Sequence, residues 1–340
     1  MFHIVNTDVF DRARLDRLCR LSDAIRLISK ETEGARFLQQ LLPTKRAMLY
    51  FTQPSTRTFL SMNNACHVLG IRTSEIRDPE VSSEIKGETF EDSIRTFSSY
   101  VDLIVMRTPE PGYAARAAAL MDSIPRPVPI VNAGSGRDQH PTQALLDIYT
   151  LERSFEHRGG IDGKTLGMMG DLRRGRTVRS LSRLMRHYRD VRLVFIAPPA
   201  FEMEPDIKAF LDEYAIPWSE TAALHDTLPG LDALYVTRMQ FEHDTDGEST
   251  RVDLSRFSIG QAELDIMRPD TVLMHPLPRG PEIHPSVDED ERAMYWRQER
   301  NGMWMRAALI ATLFEVEERI LEALPHHAPR AAAENTGDFA

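Results

Sequence analysis

The sequence predicts an α/β protein with two domains, each a mainly parallel sheet flanked by helices. Two observations carry this. Short apolar runs alternate with stretches of helical spacing along most of the chain, the pattern of parallel strands joined by crossover helices. The length, 340 residues, suits two domains at about 150 residues each. A third observation bears on function: most apolar runs end in cations, His or polar turns, and ligands of such sheets sit outside the carboxyl ends of the strands.

Taken in order, residues 13–30 place Leu15, Leu18, Cys19, Leu21, Ile25 and Leu27 at helical spacing between charges. The run Met48-Leu49-Tyr50-Phe51 reads as a buried strand, Thr52–Thr56 as a polar turn, and the following stretch as a helix capped at Gly70. VDLIVMRTP (101–109) is a strand running into Arg107. Residues 128–152 read as strand, Gly-rich loop and helix, and 164–188 repeat that order. Further strands are expected in VRLVFIAPP (191–199), ALYVTRMQ (233–240) and TVLMHPLPR (271–279). No repeat of fixed period is visible. Low complexity is confined to the tail from Pro325 to Ala340, read as frayed or disordered.

Acids outnumber bases 51 to 41, a formal charge of -10. That balance argues against a sequence-independent nucleic-acid binder and against a polybasic membrane anchor. No apolar run approaches the roughly 18–20 residues that span a bilayer. No export signal is visible, and two cysteines, Cys19 and Cys66, form neither a disulfide framework nor a metal-ligand spacing. A reducing, cytoplasmic setting is expected.

Four constellations bear chemistry. Gln53-Pro54-Ser55-Thr56-Arg57-Thr58 lies between a strand and a helix start. A lone Ser or Thr there serves as a helix cap. Three hydroxyls, an arginine and exposed amides together also make a cradle for a tetrahedral anion, without the spacing of a Walker loop. His140-Pro141-Thr142-Gln143 opens a helix, where His donates to an oxygen and the Gln oxygen accepts from an NH2. Arg107, Arg176 and Arg238 each sit at a presumed ligand edge; singly each reads as a solvated charge, together as recognition of carboxylates or phosphate. His275-Pro276-Leu277-Pro278-Arg279 is a rigid turn whose carbonyls are held as fixed acceptors.

These segments resemble the aspartate/ornithine carbamoyltransferase family, over about Phe51 to Leu313. S-T-R-T, V-M-R, N-A-G followed by Q-H-P-T-Q, G-D-L followed by G-R-T-V, T-R-x-Q and H-P-L-P-R occur in family order. The H-P-T-Q and H-P-L-P-R forms are closer to the aspartate enzymes, since the ornithine enzymes carry a Cys in each stretch. The resemblance implies attack of the aspartate amine on carbamoyl phosphate, with no cofactor, metal or covalent intermediate. It implies that Ser55, Thr56, Arg57 and Thr58 bind phosphate, while Thr58, Arg107 and His140 donate to the carbamoyl oxygen. It gives Gln143 and the carbonyls of Pro276 and Leu277 the carbamoyl NH2, Arg176 the α-carboxylate of aspartate, and Arg238 with Gln240 the side-chain carboxylate. Ser82 and Lys86 match a loop that reaches a neighbouring subunit's site, which implies a homotrimer with shared sites. Regulatory or dihydroorotase-like chains could join it in a larger assembly.

The implied division is residues 1–140 with 303–325 for carbamoyl phosphate and 141–302 for the amino acid, the site in the cleft between, and 326–340 a disordered tail. Departures from the family pattern are Phe59 in place of Arg, Ser61-Met62-Asn63-Asn64 in place of Ser-Phe-Glu, Arg174 in place of an aromatic, and Phe241-Glu242-His243 after Gln240. The acidic stretch Asp288-Glu289-Asp290-Glu291 reads as solvated. Two other functions stay open: carbamoyl transfer to a different, aspartate-like amino acid, and a noncatalytic paralogue serving as an assembly partner. If sites are shared, Arg57→Ala and Lys86→Ala chains, each inactive alone, regain partial activity in mixed trimers. Folded variants that exchange subunits without complementing contradict sharing.

Overall fold

A computed structural model describes residues 2–78, 87–136, 139–239 and 253–327. The chain divides into two units, Met1–Thr142 with Arg300–Ala340, and Gln143–Glu299. The first unit opens with helices α1 (Arg12–Ile28) and α2 (Thr32–Gln39), followed by β1 (Arg46–Phe51), α3 (Thr56–Val68), β2 (Arg72–Ile76), α4 (Phe90–Tyr100), β3 (Leu103–Arg107), α5 (Tyr113–Asp122) and β4 (Ile130–Asn132). Helix α6 (Pro141–Ser154) carries the chain onward into β5 (Thr165–Met169), α7 (Arg176–Leu184), β6 (Arg192–Ile196), α8 (Pro205–Glu213), β7 (Trp218–Thr221), α9 (Leu224–Thr227), β8 (Ala233–Val236), α10 (Gln261–Ile266) and β9 (Val272–Met274). Helix α11 (Tyr295–Leu313) returns it to the first unit, which ends with α12 (Glu317–His327). Among the described residues no helix is long and apolar enough to cross a membrane.

In the first unit four strands pair in parallel in the order β2-β1-β3-β4. The central strands β1 and β3 are buried along nearly their whole length, as expected of apolar runs covered on both faces. Tyr50, Ile104 and Met106 pack there with Ile94 and Phe97 of α4 and Tyr113 and Met121 of α5. The β4 edge is covered by the N-terminal segment: Ile4 N–H donates to Ile130 O (2.8 Å) and Asn132 N–H donates to Ile4 O (2.8 Å). In the second unit five parallel strands run β7-β6-β5-β8-β9. Met169, Ile196, Leu234, Val236 and Leu273 from these strands share a core with Leu231 and Tyr295.

Two strands carry no apolar run. β2 (RTSEI) and β7 (WSET) each lie at one edge of their sheet, β2 largely exposed and β7 mostly half-buried. An edge strand left bare on one side needs little burial and tolerates a polar sequence, whereas the opposite edges, β4 and β9, are buried and bridged by Ile4 and Ala293. Helix α12 extends to His327, two residues into the segment expected to be disordered, and residues 328–340 lie outside the described chain.

Helix α3 ends at the expected glycine. Gly70 N–H donates to His67 O (3.0 Å) and Ile71 N–H donates to Cys66 O (2.9 Å), with Gly70 at φ +81°. This double bond pattern needs a left-handed residue, which glycine adopts without cost from a side chain. A Cβ at Gly70 would lie 1.9 Å from Gln39 O, whereas one at Gly112, also left-handed at φ +73°, would meet nothing within 4 Å. Gly112→Ala therefore costs about 1 kcal/mol, the left-handed penalty alone. Gly70→Ala costs more, about 2–4 kcal/mol, read as a larger drop in the urea midpoint of unfolding.

Candidate active site

The carboxyl ends of β1, β3 and β4 bring together the residues of the first unit. Gln53 N–H donates to Arg107 O (3.1 Å), joining the turn after β1 to the end of β3. Asn132 closes β4 and organises the next loop. Its Oδ1 accepts from Gly134 N–H (2.8 Å) and Ser135 N–H (2.9 Å), and its Nδ2 donates to Val5 O (2.9 Å) and Gln139 O (3.2 Å). Gln139 Oε1 in turn accepts from the Thr7 main chain (2.8 Å) and hydroxyl (2.6 Å). His140, buried, follows directly.

Arg107 Nη1 donates to Ala133 O (3.2 Å). Gly134, at φ +95°, lies against both candidate side chains: a Cβ there would be 2.6 Å from His140 Cδ2 and 2.9 Å from Arg107 Nη1. The guanidinium and the imidazole thus flank one glycine. Ser55 occupies the N-cap of α3 with extended backbone, and its hydroxyl makes no cap hydrogen bond, so the plain capping role is not what the structure shows. Thr56 is exposed, Arg57 half-buried and Thr58 buried in the first turn of that helix. The positive helix end, these hydroxyls and two arginines suit an anion.

The departures in α3 are structural. Phe59 is buried, its ring edge-on to Phe51 at 5.5 Å, and the Arg77 guanidinium lies over it at 4.3 Å. Ser61 accepts from Arg306 Nη1 (2.6 Å), tying α3 to the returning α11. Asn63 Oδ1 accepts from the Thr73 hydroxyl (2.8 Å) of β2.

The second unit holds the other half of the set. Gln143 is buried in the first turn of α6, and its Nε2 donates to Asp147 Oδ1 (3.0 Å) one helical turn on. Arg176 opens α7 after Gly175 and is half-buried. Arg174 pairs with buried Asp171 (3.5 Å) and lies over Phe201 at 5.5 Å. Arg238 follows β8 and donates to Met239 O (3.3 Å). Gln240, Ser82 and Lys86, and the loop beginning Phe241-Glu242-His243, lie outside the described residues.

The turn after β9 is held from three sides. His275 N–H donates to Gln298 Oε1 (2.9 Å), and Leu277 N–H donates to His275 Nδ1 (2.8 Å). Since Nδ1 accepts, Nε2 carries the proton and donates to Glu282 Oε1 (2.8 Å). Burial works to raise the Glu282 carboxyl, but the bonds from His275 and the Gly280 main chain outweigh it and hold it low. Leu277 has φ +49°, and the Leu277–Pro278 peptide is cis. Pro276 and Leu277 are half-exposed, as residues offering carbonyls to a ligand would be. The acidic stretch is only partly solvated: Asp288 grips Arg279 through both oxygens and accepts from Tyr295, and Asp290 pairs with Arg292 (2.7 Å). The solvated reading fails for these two because basic neighbours pack against the turn.

Asp147 was not singled out by sequence, although its place four residues after Gln143 is the signal. It is fully buried, and burial pushes its carboxyl up to about 7 against the downward pull of Gln298, Tyr235 and Gln143. Among the described residues no three His, Cys, Asp or Glu side chains are grouped to hold a metal ion.

Two domain models of one family match the chain. The carbamoyl-P binding domain of aspartate/ornithine carbamoyltransferase matches residues 3–153, and the Asp/Orn binding domain matches 162–313. The chain belongs to the aspartate/ornithine carbamoyltransferase family. It is 40% identical to aspartate carbamoyltransferase 1, chloroplastic, of Pisum sativum, over 91% of this chain and 78% of that protein. It is 42% identical to the aspartate carbamoyltransferase catalytic subunit of Thermococcus gammatolerans, over 78% of this chain and 82% of that protein. The structure matches aspartate transcarbamoylase from Trypanosoma cruzi in complex with carbamoyl phosphate and aspartate, with a TM-score of 0.80 and 33% identity over 91% of this chain and 95% of that one.

Between pH 4 and 7 folded Asp147 keeps a proton that the unfolded chain, at its ordinary 3.8, has released. Its contribution to stability is therefore lost as pH rises through about 7. The urea midpoint of the wild type minus that of Asp147→Asn will fall from pH 5 to 7.5 and then level off. A difference that does not change with pH contradicts the buried titration.

Proposed function

We infer that this chain transfers the carbamoyl group of carbamoyl phosphate to the amine of L-aspartate, giving N-carbamoyl-L-aspartate and phosphate. The observation that carries this reading is Arg107 and His140 flanking Gly134 on the strand edge that also bears the Ser55–Thr58 turn. Family membership supports it, as does the match to a structure holding both substrates.

In this mechanism no side chain is a nucleophile. The amine attacks the carbamoyl carbon, and the C–O bond to phosphate breaks. Thr58, Arg107 and His140 donate to the carbonyl oxygen as it gains negative charge, where preorganised donors contribute most. Arg57 and the first turn of α3 hold the phosphate, which leaves as an anion and accepts the proton of the amine. Gln143 and the carbonyls of Pro276 and Leu277 accept from the NH2. Arg176 and Arg238 each meet one carboxylate of aspartate, with Gln240 and a neighbour's Lys86 completing the set. Two cations suit a dicarboxylate and would repel the second amine of ornithine.

The wider reading includes a homotrimer with shared sites, a role in pyrimidine biosynthesis and a cytoplasmic location. The Ser82–Lys86 match supports the first, the names of the relatives the second, and the two cysteines, neither in a disulfide, the third. The pea relative is named chloroplastic.

A ureido-product assay with carbamoyl phosphate and a panel of amino acids tests the reading. Aspartate is expected to be carbamoylated, with ornithine inactive. Arg107→Ala should lower kcat by about 100-fold or more, the order expected for loss of an oxyanion donor. Folded protein that turns over no acceptor sinks the enzyme reading; turnover of another amino acid but not aspartate sinks the substrate alone.

A further inference from the structure

Behind Gln143 lies a buried polar group that the mechanism leaves unused. Asp147 Oδ1 accepts from two amides, Gln143 Nε2 at 3.0 Å and Gln298 Nε2 at 2.7 Å. Its Oδ2 accepts from the Tyr235 hydroxyl at 2.9 Å. Tyr235 is also hydrogen-bonded to Thr177, beside Arg176 at the start of α7. Asp147 and Gln298 show no exposed surface.

The chemistry of these partners fixes which way each amide points. A glutamine has a donor end and an acceptor end, and Asp147 Oδ1 takes hydrogen bonds only. Both glutamines must turn their NH2 groups toward it. For Gln298 this is checked at the other end, since its Oε1 accepts from His275 N–H (2.9 Å), a group that can only donate. For Gln143 the same constraint leaves Oε1 as the end available to a ligand. A flipped Gln143 would set an NH2 against the carbamoyl NH2 and an oxygen against Asp147, losing both bonds. A buried amide left without its partner costs more than a surface one.

We propose that Asp147 and Gln298 are the positioning pair for the carbamoyl NH2: Asp147 orients the Gln143 amide as an acceptor, and Gln298 anchors the main chain at His275, from which the carbonyls of Pro276 and Leu277 follow. The proposal rests on the reading that Gln143 and those two carbonyls hold that NH2. Protonation of Asp147 on Oδ2 leaves the arrangement intact, because the new O–H donates to Tyr235, whose own proton turns to Thr177. Asparagine at 147 reproduces the same pattern, with Oδ1 accepting and Nδ2 donating.

The test compares carbamoyl phosphate with acetyl phosphate, in which CH3 replaces the NH2. KM for the first and the competitive inhibition constant of the second are measured for the wild type, Asp147→Ala, Asp147→Asn, Gln298→Met and Gln143→Ala. The preference for carbamoyl over acetyl phosphate should fall about tenfold or more in Asp147→Ala and several-fold in Gln298→Met. In both, acetyl phosphate should bind within about twofold of wild type, and Asp147→Asn should restore most of the preference. A loose, merely structural role would weaken both ligands together and leave the preference unchanged, which overturns the proposal. If Asp147→Ala does not fold, Gln298→Met, which keeps the length of the side chain, decides alone. A preference that survives Gln143→Ala refutes the reading of the carbamoyl pocket itself. One lost there but kept in the other folded variants refutes only the positioning pair.

Discussion

Parallel pairing is the constraint on which the rest of this molecule depends. Every strand within a sheet ends on the same edge, so the loops that follow β1, β3 and β4 are neighbours whatever their separation in sequence. Gln53, Arg107 and His140 stand at or after the ends of these three strands and lie within one patch. In the second sheet the ends of β5, β8 and β9 give rise to the segments bearing Arg176, Arg238 and His275. The candidate site residues lie at one edge of each sheet, and the other edge carries ion pairs such as Arg158 and Arg268 on Asp232.

That division also resolves the charge of the chain. A formal charge of -10 describes the whole surface, where exposed pairs contribute little individually. The candidate site arginines stand instead at strand and helix ends, two of them beside a helix N-terminus. Local concentration of positive charge in a partly desolvated place attracts small anions to an acidic protein.

The central strands were legible in sequence because a strand covered on both faces must be apolar, as β1, β3, β5 and β8 are. β2 and β7 were not, because one neighbour and a wet face ask nothing apolar of them. Gly70 could be read in advance, since helix closure demands a left-handed residue. The candidate site residues stand in short dense motifs and were visible for that reason. Their supports were harder to see. Asp147 touches Gln143 within one helix, but its other partners, Tyr235 and Gln298, lie 88 and 151 residues away. Asp288 looked like one of four surface acids until Arg279 and Tyr295 were found beside it. A motif records what meets the ligand; contacts distant in sequence leave no local pattern.

The pairing of Ile4 with β4 gives the first ten residues an unexpected employment. Ile4 adds a rung beside Ile130 and Asn132, Val5 receives the Asn132 amide, and Thr7 clamps Gln139, the residue before His140. The loop that carries the candidate residue His140 is therefore laced to residues 4–7, over a hundred positions away along the chain. A histidine tag or a fusion partner joined just before Ile4 is moored to the loop that carries His140.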